Sequence, residues 1–296
     1  MRRVFAFLIF IAIAAEVRAA STFGLPFSTV FKGEKRFDQL VERAKDGNWA
    51  ALPLGERVAT IGQAFVGTPY KNYTLEIDDR IEAPSANLNA LDCWTFFEIA
   101  LAFARMIEEP QDNWTPERLL DYIEQDRYRG GRCTGEYLSR LHYLEDWLAD
   151  NDRRGLVNDI TGNLGGRRVA HSAREMTVGW KSYRYLRNNP SLLRPLGQME
   201  ARVSRTPLYM IPKSRVAAIE PKLRNGDIIG IVSRDGRRGY ATSHVGLALR
   251  DRDGTLRFMH ASAPRNYGKV VIDSRLTSYL YRYGSHAGIM VARPTR

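Results

Sequence analysis

A cysteine at the predicted start of an apolar helix is the residue best placed to do chemistry in this sequence. Cys93 follows Asp92 and opens an apolar stretch that continues to Met106. In the first turn of a helix, backbone N–H groups have no intrahelical partner and the helix dipole is positive. Such a position stabilises a thiolate, and the same N–H groups can bind the oxyanion of a tetrahedral intermediate. The alternative is that Cys93, which precedes the aromatic residues Trp94 and Phe96, is a small buried hydrophobe.

Two histidines on neighbouring predicted strands can supply the base that a nucleophilic cysteine needs. His244 begins one strand and His260 ends the next, and residues 251–254 between them contain an Asp-Gly pair typical of hairpin turns. Residues that pair across this turn have numbers summing to about 504 or 505, so the two imidazoles should lie opposite or nearly opposite each other. One alternative is a metal site, although no carboxylate or third histidine stands at ligand spacing. Another is two unrelated, partly buried side chains.

Helices in the first part of the chain should position the cysteine. Apolar residues at helical spacing predict helices near residues 33–48, 54–65, 93–106 and 137–150. A further helix is predicted from Thr115, a good N-cap, followed by Pro116 at the tolerated first position. The helix near residues 137–150 would contain Arg140, His142 and Tyr143.

The last third of the chain should form the sheet that carries the histidines. After about residue 207, short apolar runs alternate with turn residues, which is typical of strands. One short helix is predicted near residues 274–283, before the last strand. Helices followed by antiparallel strands predict an α+β fold.

The first nineteen residues have the pattern of a secretory signal peptide. Arg2 and Arg3 precede a run of twelve apolar residues, which is too short to span a bilayer comfortably. We expect cleavage after Ala19 or Ala20, with an uncleaved anchor as the alternative. Residues 20–296 are then predicted to form one domain with a helical insertion at about residues 111–200. The mature protein should be exported, periplasmic or otherwise extracytoplasmic, without stable membrane insertion.

The charge of the chain suggests an anionic partner. The formal net charge is +11, and it becomes +9 when three arginines and one glutamate leave with the first nineteen residues. A basic exported protein suits a cell-wall polymer or anionic lipid, although scattered arginines are equally typical of a solvated surface. No aromatic-interleaved basic motif or zinc-finger spacing supports a nucleic-acid partner. We expect a monomer.

The two cysteines of the chain, Cys93 and Cys133, raise the question of a disulfide. An even number of cysteines in an oxidising compartment favours a disulfide bond. However, a bond between these two would consume the nucleophile, and they lie in different settings, one at a helix start and one near a turn. We therefore predict that both thiols are free.

Four segments in chain order resemble the NlpC-type cysteine hydrolases of bacterial cell walls. The segments are Gly67-Thr-Pro-Tyr70, Asp92-Cys93, Ser243-His-Val-Gly246 and Met259-His-Ala-Ser262. The resemblance implies a papain-like α+β fold with an N-terminal helical part, the nucleophile at a helix N-terminus and an antiparallel sheet carrying both histidines. It also implies a Cys-His-His site that cleaves peptidoglycan stem peptides.

The sequence departs from the common NlpC-type pattern directly after the cysteine, where Trp94-Thr95 replace the usual Ser-Gly. Further matching segments are Arg140-Leu-His-Tyr143, Asp146-Trp147, Ile211-Pro-Lys213 and Gly226-Asp-Ile-Ile229. Together they resemble the N-acetylmuramoyl-L-alanine amidase-like branch. This implies hydrolysis of the amide between the N-acetylmuramic acid lactyl group and L-Ala in peptidoglycan or muropeptides, with no metal or organic cofactor.

Chemistry and resemblance together give the residues their expected roles. Cys93 is the nucleophile, and His244 is the base that forms a thiolate–imidazolium pair and later protonates the leaving amine. His260 orients His244 through its other ring nitrogen. Tyr70 and the Cys93 N–H are candidates for the oxyanion site, and Arg140 suits a stem-peptide carboxylate. The candidate substrate-binding residues are Tyr70, Asp92, Trp94, Arg140, His142, Tyr143 and Ser243.

Two other functions are compatible with these residues. The first is a D-glutamyl stem-peptide endopeptidase, which uses the same chemistry and differs only in the bond that it cleaves. The second is a peptidoglycan-binding protein with a disabled site. The intact cysteine and histidines argue against the second function, and a Cys93–Cys133 disulfide would favour it.

Overall fold

The helix that begins at Cys93 lies in the core, and twelve of its fourteen residues are buried, so it needs packing partners on nearly every side. The computed structural model describes residues 22–234, 236 and 239–295. The predicted signal peptide, residues 1–19, therefore lies outside the described residues. None of the helices within the described ranges has the length and apolar character needed to cross a membrane.

The helices dominate the first two thirds of the described chain. They are α1 (Phe27–Val30), α2 (Glu34–Asp46), α3 (Leu54–Ala64), α4 (Cys93–Met106), α5 (Pro116–Arg127), α6 (Leu144–Arg153), α7 (Glu175–Val178), α8 (Arg184–Asn188), α9 (Leu193–Val203), α10 (Lys213–Ile219) and α11 (Leu276–Arg282). Thr115 caps α5 by accepting a hydrogen bond from the Arg118 N–H (3.1 Å), with Pro116 at the first helical position. The predicted start of this helix is thus confirmed.

The strands are concentrated after residue 207. They are β1 (Phe31–Lys32), β2 (Ala86–Asn87), β3 (Val157–Asp159), β4 (Arg167–Val169), β5 (Leu208–Pro212), β6 (Ile228–Arg234), β7 (Tyr240–Arg250), β8 (Leu256–Ala261), β9 (Val270–Arg275) and β10 (His286–Pro294). In the part of the chain that the structure describes, β4, β5, β10, β6, β7, β8 and β9 lie in this order in one sheet, and β3 pairs with β10. Every pairing in this sheet is antiparallel. The α+β prediction is confirmed.

Helices cover both faces of the sheet. On one face, α3 and α4 pack against β7 and share a large core with Leu247 and Met259. On the other face, α10 and α11 pack over a second core that contains Ile231 and Phe258. Because both faces are buried, the central strands contain long apolar runs instead of alternating apolar and polar residues.

Two buried ion pairs join α4 to α5. The Arg127 guanidinium donates to the Glu98 carboxylate (2.7 Å), and neither side chain is exposed to solvent. Arg127 also donates to the Ser85 carbonyl (2.6 Å), and Arg105 of α4 pairs with Asp126 of α5. Charges inside a protein are tolerated only when they are paired and hydrogen-bonded, so these contacts fix how the two helices pack.

The predicted helix at residues 137–150 is wrong in its first half. Residues Tyr137–Ser139 form a single 3₁₀ turn, and α6 begins only at Leu144. Arg140 between them is extended (φ −72°, ψ 144°) and forms an isolated antiparallel bridge with Tyr128. Buried ion pairs of Arg140 hold this segment extended, and they outweigh its local helical pattern.

The segment predicted as a helical insertion, about residues 111–200, contains α5 to α9. It also contains β3 and β4, which join the main sheet through β10 and β5. A third core, which includes Tyr143, Leu186 and Met199, holds α7 to α9 together. The division into one domain with an insertion stays a prediction.

Replacing Arg127 should destabilise the protein strongly. In Arg127→Ala the buried Glu98 carboxylate loses its ionic partner, and the expected loss in free energy of unfolding is about 3 kcal/mol or more. Urea denaturation measures this loss. The matched control is Lys45→Ala, which removes an exposed pair with Glu42 and should change stability by less than about 0.5 kcal/mol. Equal effects of the two substitutions would contradict the structural role of the buried pair.

Candidate active site

Cys93 is the first residue of α4, and the residue before it fixes the start of the helix. The Asp92 carboxylate accepts a hydrogen bond from the Thr95 N–H (2.8 Å), and the Thr95 hydroxyl accepts one from the Asp92 N–H (3.0 Å). This reciprocal capping box satisfies two of the N–H groups at the helix start. Asp92, expected to contact substrate, thus has its carboxylate engaged by the helix.

The Cys93 sulfur connects α4 to the sheet. The backbone N–H groups of Val245, Trp94 and Cys93 itself lie close enough to this sulfur to favour its ionised form. Val245 directly follows His244 in β7, so the sulfur lies beside the strand that carries the first histidine. N–H groups that converge at this point can also stabilise negative charge that develops during acyl transfer.

The electrostatic setting favours uncharged forms of the cysteine and the first histidine. Burial, reinforced by the Asp92 carboxylate, raises the pKa of the Cys93 thiol to about 12, and the surrounding N–H groups offset this only in part. Burial, together with the nearby His260 and His286, lowers the pKa of His244 well below its usual value. Desolvation therefore disfavours the charged form of both groups in the free protein. The thiolate–imidazolium pair expected from the sequence stays a prediction.

The two histidines are directly hydrogen-bonded and lead to a buried ion pair. His244 Nε2 lies 2.7 Å from His260 Nδ1, and His260 Nε2 lies 3.4 Å from an Asp273 carboxylate oxygen. Asp273 accepts two hydrogen bonds from the Arg282 guanidinium (3.0 and 2.8 Å) and one from the Ser274 N–H (2.6 Å). A chain of polar contacts therefore runs from the cleft to Arg282.

The charge on Asp273 sets the direction of these hydrogen bonds. Although burial opposes ionisation, hydrogen bonds from His260 and Arg282 hold the pKa of Asp273 well below its usual range. An ionised Asp273 can only accept, so His260 Nε2 carries the proton and His260 Nδ1 accepts from His244 Nε2. A neutral His244 then has an unprotonated Nδ1, which is the nitrogen able to take a proton from a thiol.

The hairpin register differs slightly from the predicted one. Leu247 pairs with Met259, so paired residues have numbers that sum to 506, and the two histidines are diagonal neighbours, not directly opposite. At Gly246, an added Cβ would lie 2.8 Å from the His260 Cβ and 2.5 Å from the Met259 carbonyl oxygen. A side chain there would push the two strands apart. The ladder between β6 and β7 is also irregular at Ser243, next to His244, as β-bulges beside functional residues often are.

A cleft of about 370 Å³ opens in front of the cysteine. It is lined by Cys93 and His244, while His260 is buried and only 2% exposed. All seven candidate substrate-binding residues line the cleft, namely Tyr70, Asp92, Trp94, Arg140, His142, Tyr143 and Ser243. The structure therefore brings together residues that are widely separated in the sequence.

Several of these residues have polar groups that already have protein partners. Arg140 pairs with Glu76 (3.2 Å) and Glu82 (3.7 Å), so its charge is compensated within the wall of the cleft. The Tyr143 hydroxyl donates to Glu200 (2.6 Å), which holds α9 against this wall. These contacts give Arg140 and Tyr143 a role in building the cleft.

The other candidate residues differ in what they offer a ligand. The Ser243 hydroxyl hydrogen-bonds the Ser233 hydroxyl (2.7 Å), and the Trp94 ring packs edge-on against a neighbouring phenylalanine. His142 Nε2 donates to the Tyr137 carbonyl (2.9 Å), and burial keeps the pKa of His142 well below its usual value. Burial and the adjacent Cys93 and Asp92 raise the pKa of Tyr70, whose protonated hydroxyl is thus a donor close to the sulfur.

Sequence reasoning missed Asp273 and Arg282. Asp273 ends an apolar run in β9, and an aspartate within a strand is unusual enough to have served as a signal. Arg282 lies at the end of α11, and only the packing of this helix over β9 brings it to Asp273. Its spacing in the sequence gave no indication of this contact.

The second cysteine is separate from this chemistry. Cys93 and Cys133 are both unbonded in the structure, and the prediction that both thiols are free in the exported protein stays a prediction. Cys133 is buried, its thiol contacts the Glu82 carbonyl (3.6 Å), and burial raises its pKa to about 11. Within the described residues, no cluster of three or more His, Cys, Asp or Glu side chains is arranged to hold a metal ion.

The fold and this site define an α+β protein with a cysteine and a histidine at one cleft and a second, buried histidine bonded to the first. The chain belongs to the AmiA-like family of N-acetylmuramoyl-L-alanine amidase-like proteins, whose sequence model matches residues 60–288. Family membership implies a hydrolase that acts on a peptidoglycan-type substrate. Among curated protein sequences, none matches this chain.

Solved structures agree with this family. An N-acetylmuramoyl-L-alanine amidase from Bacteroides uniformis is 29% identical over 82% of this chain and 99% of its own, with a TM-score of 0.71. A Bacteroides fragilis protein described as a candidate xylanase is 33% identical over 79% of this chain and 99% of its own, with a TM-score of 0.69. A Legionella pneumophila protein is 20% identical over 89% of this chain and 94% of its own, with a TM-score of 0.65, which shows a shared fold only.

Replacing Asp273 should slow turnover without weakening substrate binding. In Asp273→Asn the amide can donate to His260, which would reverse the hydrogen-bond chain and leave the wrong His244 tautomer facing the cysteine. We expect kcat to fall about 10- to 100-fold with little change in KM. Asp251→Asn, in the exposed hairpin turn, is the matched control and should keep wild-type kinetics. A raised KM at unchanged kcat would contradict an orienting role for Asp273.

Alkylation should show that the resting cysteine is a thiol. With its pKa raised to about 12, Cys93 has less thiolate at neutral pH than a free cysteine, whose pKa is about 8.5. Iodoacetamide should therefore modify Cys93 more slowly than free cysteine at about pH 7, and the rate should still rise above about pH 9. The experiment is best done in a Cys133→Ser background. Fast labelling that is already constant below about pH 7 would instead indicate the ion pair.

Proposed function

We propose that this protein is a cysteine amidase that hydrolyses the amide between N-acetylmuramic acid and L-Ala in fragments of bacterial peptidoglycan. One observation carries the proposal: Cys93 is the first residue of a helix and lines the same cleft as His244 and Val245. The sulfur, the base and the cleft are thus adjacent in a chain that belongs to an amidase-like family. A papain-like arrangement, with the nucleophile's helix packed on an antiparallel sheet that carries both histidines, is part of the proposal.

The proposed reaction begins with proton transfer from Cys93 to His244. His244 Nδ1 takes the thiol proton as the sulfur attacks the lactyl carbonyl, and His260 accepts a hydrogen bond from His244 Nε2–H throughout. The oxyanion is bound by the Cys93 N–H and the Tyr70 hydroxyl. The imidazolium then protonates the amine of L-Ala, which leaves, and water hydrolyses the resulting thioester.

The ionised Asp273 supports this reaction electrostatically. When His244 becomes an imidazolium, positive charge develops inside a desolvated site, which costs free energy. The negative charge of Asp273, which contacts His260, lowers this cost. Arg282 in turn holds Asp273 in place. No step in this scheme uses a metal or an organic cofactor.

Glycan hydrolysis, which the name of one structural neighbour suggests, is less well supported by the cleft. Glycosidases typically use two carboxyl groups on either side of the scissile bond. The carboxylates that line this cleft belong to Glu76, Asp92 and Glu175. Asp92 caps α4 and Glu76 is paired with Arg140, so two of the three are engaged in structural contacts.

The proposed substrate also indicates where the protein acts. Peptidoglycan lies outside the cytoplasm, which agrees with the signal-peptide pattern of residues 1–19 and with export to the periplasm or another extracytoplasmic space. The protein is proposed to act there as a monomer on muropeptides.

Replacing the nucleophile should abolish activity. Cys93→Ala removes the group that forms the thioester, so we expect at least a ~10³-fold loss in rate on a defined muropeptide. Cys133→Ser is the matched control, because it alters the second thiol, which is buried away from the cleft, and should leave activity within about threefold. Residual activity of Cys93→Ala within about tenfold of wild type would exclude Cys93 as the nucleophile.

Mass spectrometry of the products decides which bond is cleaved. Release of N-acetylmuramic acid and an intact stem peptide supports the amidase. A cut after D-Glu indicates the endopeptidase instead. Binding of the muropeptide with no new termini indicates a binding protein.

A further inference from the structure

Two tyrosines from separate segments meet at the cleft that contains Cys93. Tyr73 and Tyr183 both line this cleft, and their ring centroids lie 5.6 Å apart with the ring planes at 84°. Tyr73 is 50% exposed, which is high for a large aromatic side chain. A perpendicular pair forms a corner, and the exposed ring leaves an aromatic face open to a ligand.

The backbone holds this aromatic corner in a fixed position. Tyr73 has a φ of +58°, in the left-handed region that bulky residues rarely adopt. Its carbonyl accepts from the Glu76 N–H (3.1 Å), and the Glu76 carboxylate accepts from the Tyr185 N–H (2.8 Å). Asn189 Nδ2 also donates to the Asp79 carbonyl (2.5 Å). These contacts join the segments that carry the two rings, so the corner is preorganised.

The charges around the cleft favour a neutral ligand at this corner. Among the described residues, three carboxylates line the cleft, those of Glu76, Asp92 and Glu175, against a single guanidinium, that of Arg140. Arg140 is itself paired with Glu76 and Glu82, so it leaves no free positive charge there. The stem peptide of a muropeptide is anionic at its D-Glu carboxylate, whereas the N-acetylmuramoyl ring is neutral once its lactyl group is in an amide.

We infer that Tyr73 and Tyr183 form a sugar subsite that takes the pyranose ring of the muramoyl group. This inference rests on the proposed amidase function. The C–H face of the sugar packs on the open aromatic face, and its hydroxyl and acetamido groups suit the polar, acidic surroundings. The enzyme then selects for the sugar side of the scissile amide and discriminates against amides that lack it.

A pair of substrates with the same scissile amide tests the inference. The substrates are N-acetylmuramoyl-L-Ala-γ-D-Glu and D-lactoyl-L-Ala-γ-D-Glu, which differ only in the pyranose ring. The wild type should prefer the first by about tenfold or more in kcat/KM. Tyr73→Ala and Tyr183→Ala should each raise KM for the muramoyl substrate about tenfold and leave lactoyl cleavage unchanged. Tyr73→Phe keeps the aromatic face and should behave as wild type.

The matched control is Tyr281→Ala, which removes a 59% exposed tyrosine outside the cleft and should change neither reaction. Equal use of the two substrates by the wild type would overturn the sugar subsite and leave the amidase function intact. An equal loss on both substrates in the two cleft variants would also overturn it, since the rings would then support the fold of the site only. Cleavage of neither amide by the wild type would overturn the amidase function and the subsite together.

Discussion

The packing of the start of α4 against β7 is the constraint on which the rest of the structure depends. It brings the Val245 N–H close to the Cys93 sulfur and places the proposed nucleophile beside the strand that carries His244. To hold this position, α4 is buried on nearly all sides, and its charged residues must be paired inside the protein. Partners on α5, such as Arg127 for Glu98, therefore support the nucleophile although they lie away from the chemistry. Stability and catalytic geometry are thus linked through the same helix.

The direction of proton transfer depends on which tautomers His244 and His260 adopt. Two neutral imidazoles in contact can be arranged in either of two tautomeric chains, and only one leaves a basic nitrogen for the cysteine. The Asp273–Arg282 pair removes this ambiguity, because an ionised carboxylate cannot donate. The packing of His260 against the Phe258 ring (centroids 4.7 Å apart) keeps the ring from turning. The buried ion pair of Asp273 and Arg282, at one end of this hydrogen-bond chain, therefore determines which nitrogen of His244 is available to Cys93 at the other end.

Much of this arrangement could be predicted from the sequence because local signals agreed with the tertiary structure. The helix starts at Asp92 and Thr115, and the strands that carry His244 and His260, follow from residue types at short range. The predictions failed where contacts with residues distant in the sequence determine the backbone conformation or the strand register. Arg140 is extended because it is paired with Glu76 and Glu82, and the hairpin register is set by packing across the sheet. An aspartate within β9 was a signal in the sequence, but its ion pair with Arg282 could not be predicted, because only the packing of α11 over β9 brings the two together.

Desolvation of the site favours the thiol form of Cys93 over the thiolate. The thiolate is the form that attacks disulfides and is oxidised, so a cysteine held as a thiol is protected from both reactions. In the proposed mechanism the nucleophile is therefore generated during the reaction, by proton transfer to a His244 whose own pKa is lowered. That transfer becomes favourable only when an electrophilic carbonyl lies against the sulfur and the N–H groups can bind the new oxyanion. Formation of the nucleophile is then coupled to correct occupation of the cleft, so a ligand that fills the cleft without placing a carbonyl at Cys93 leaves the enzyme inactive.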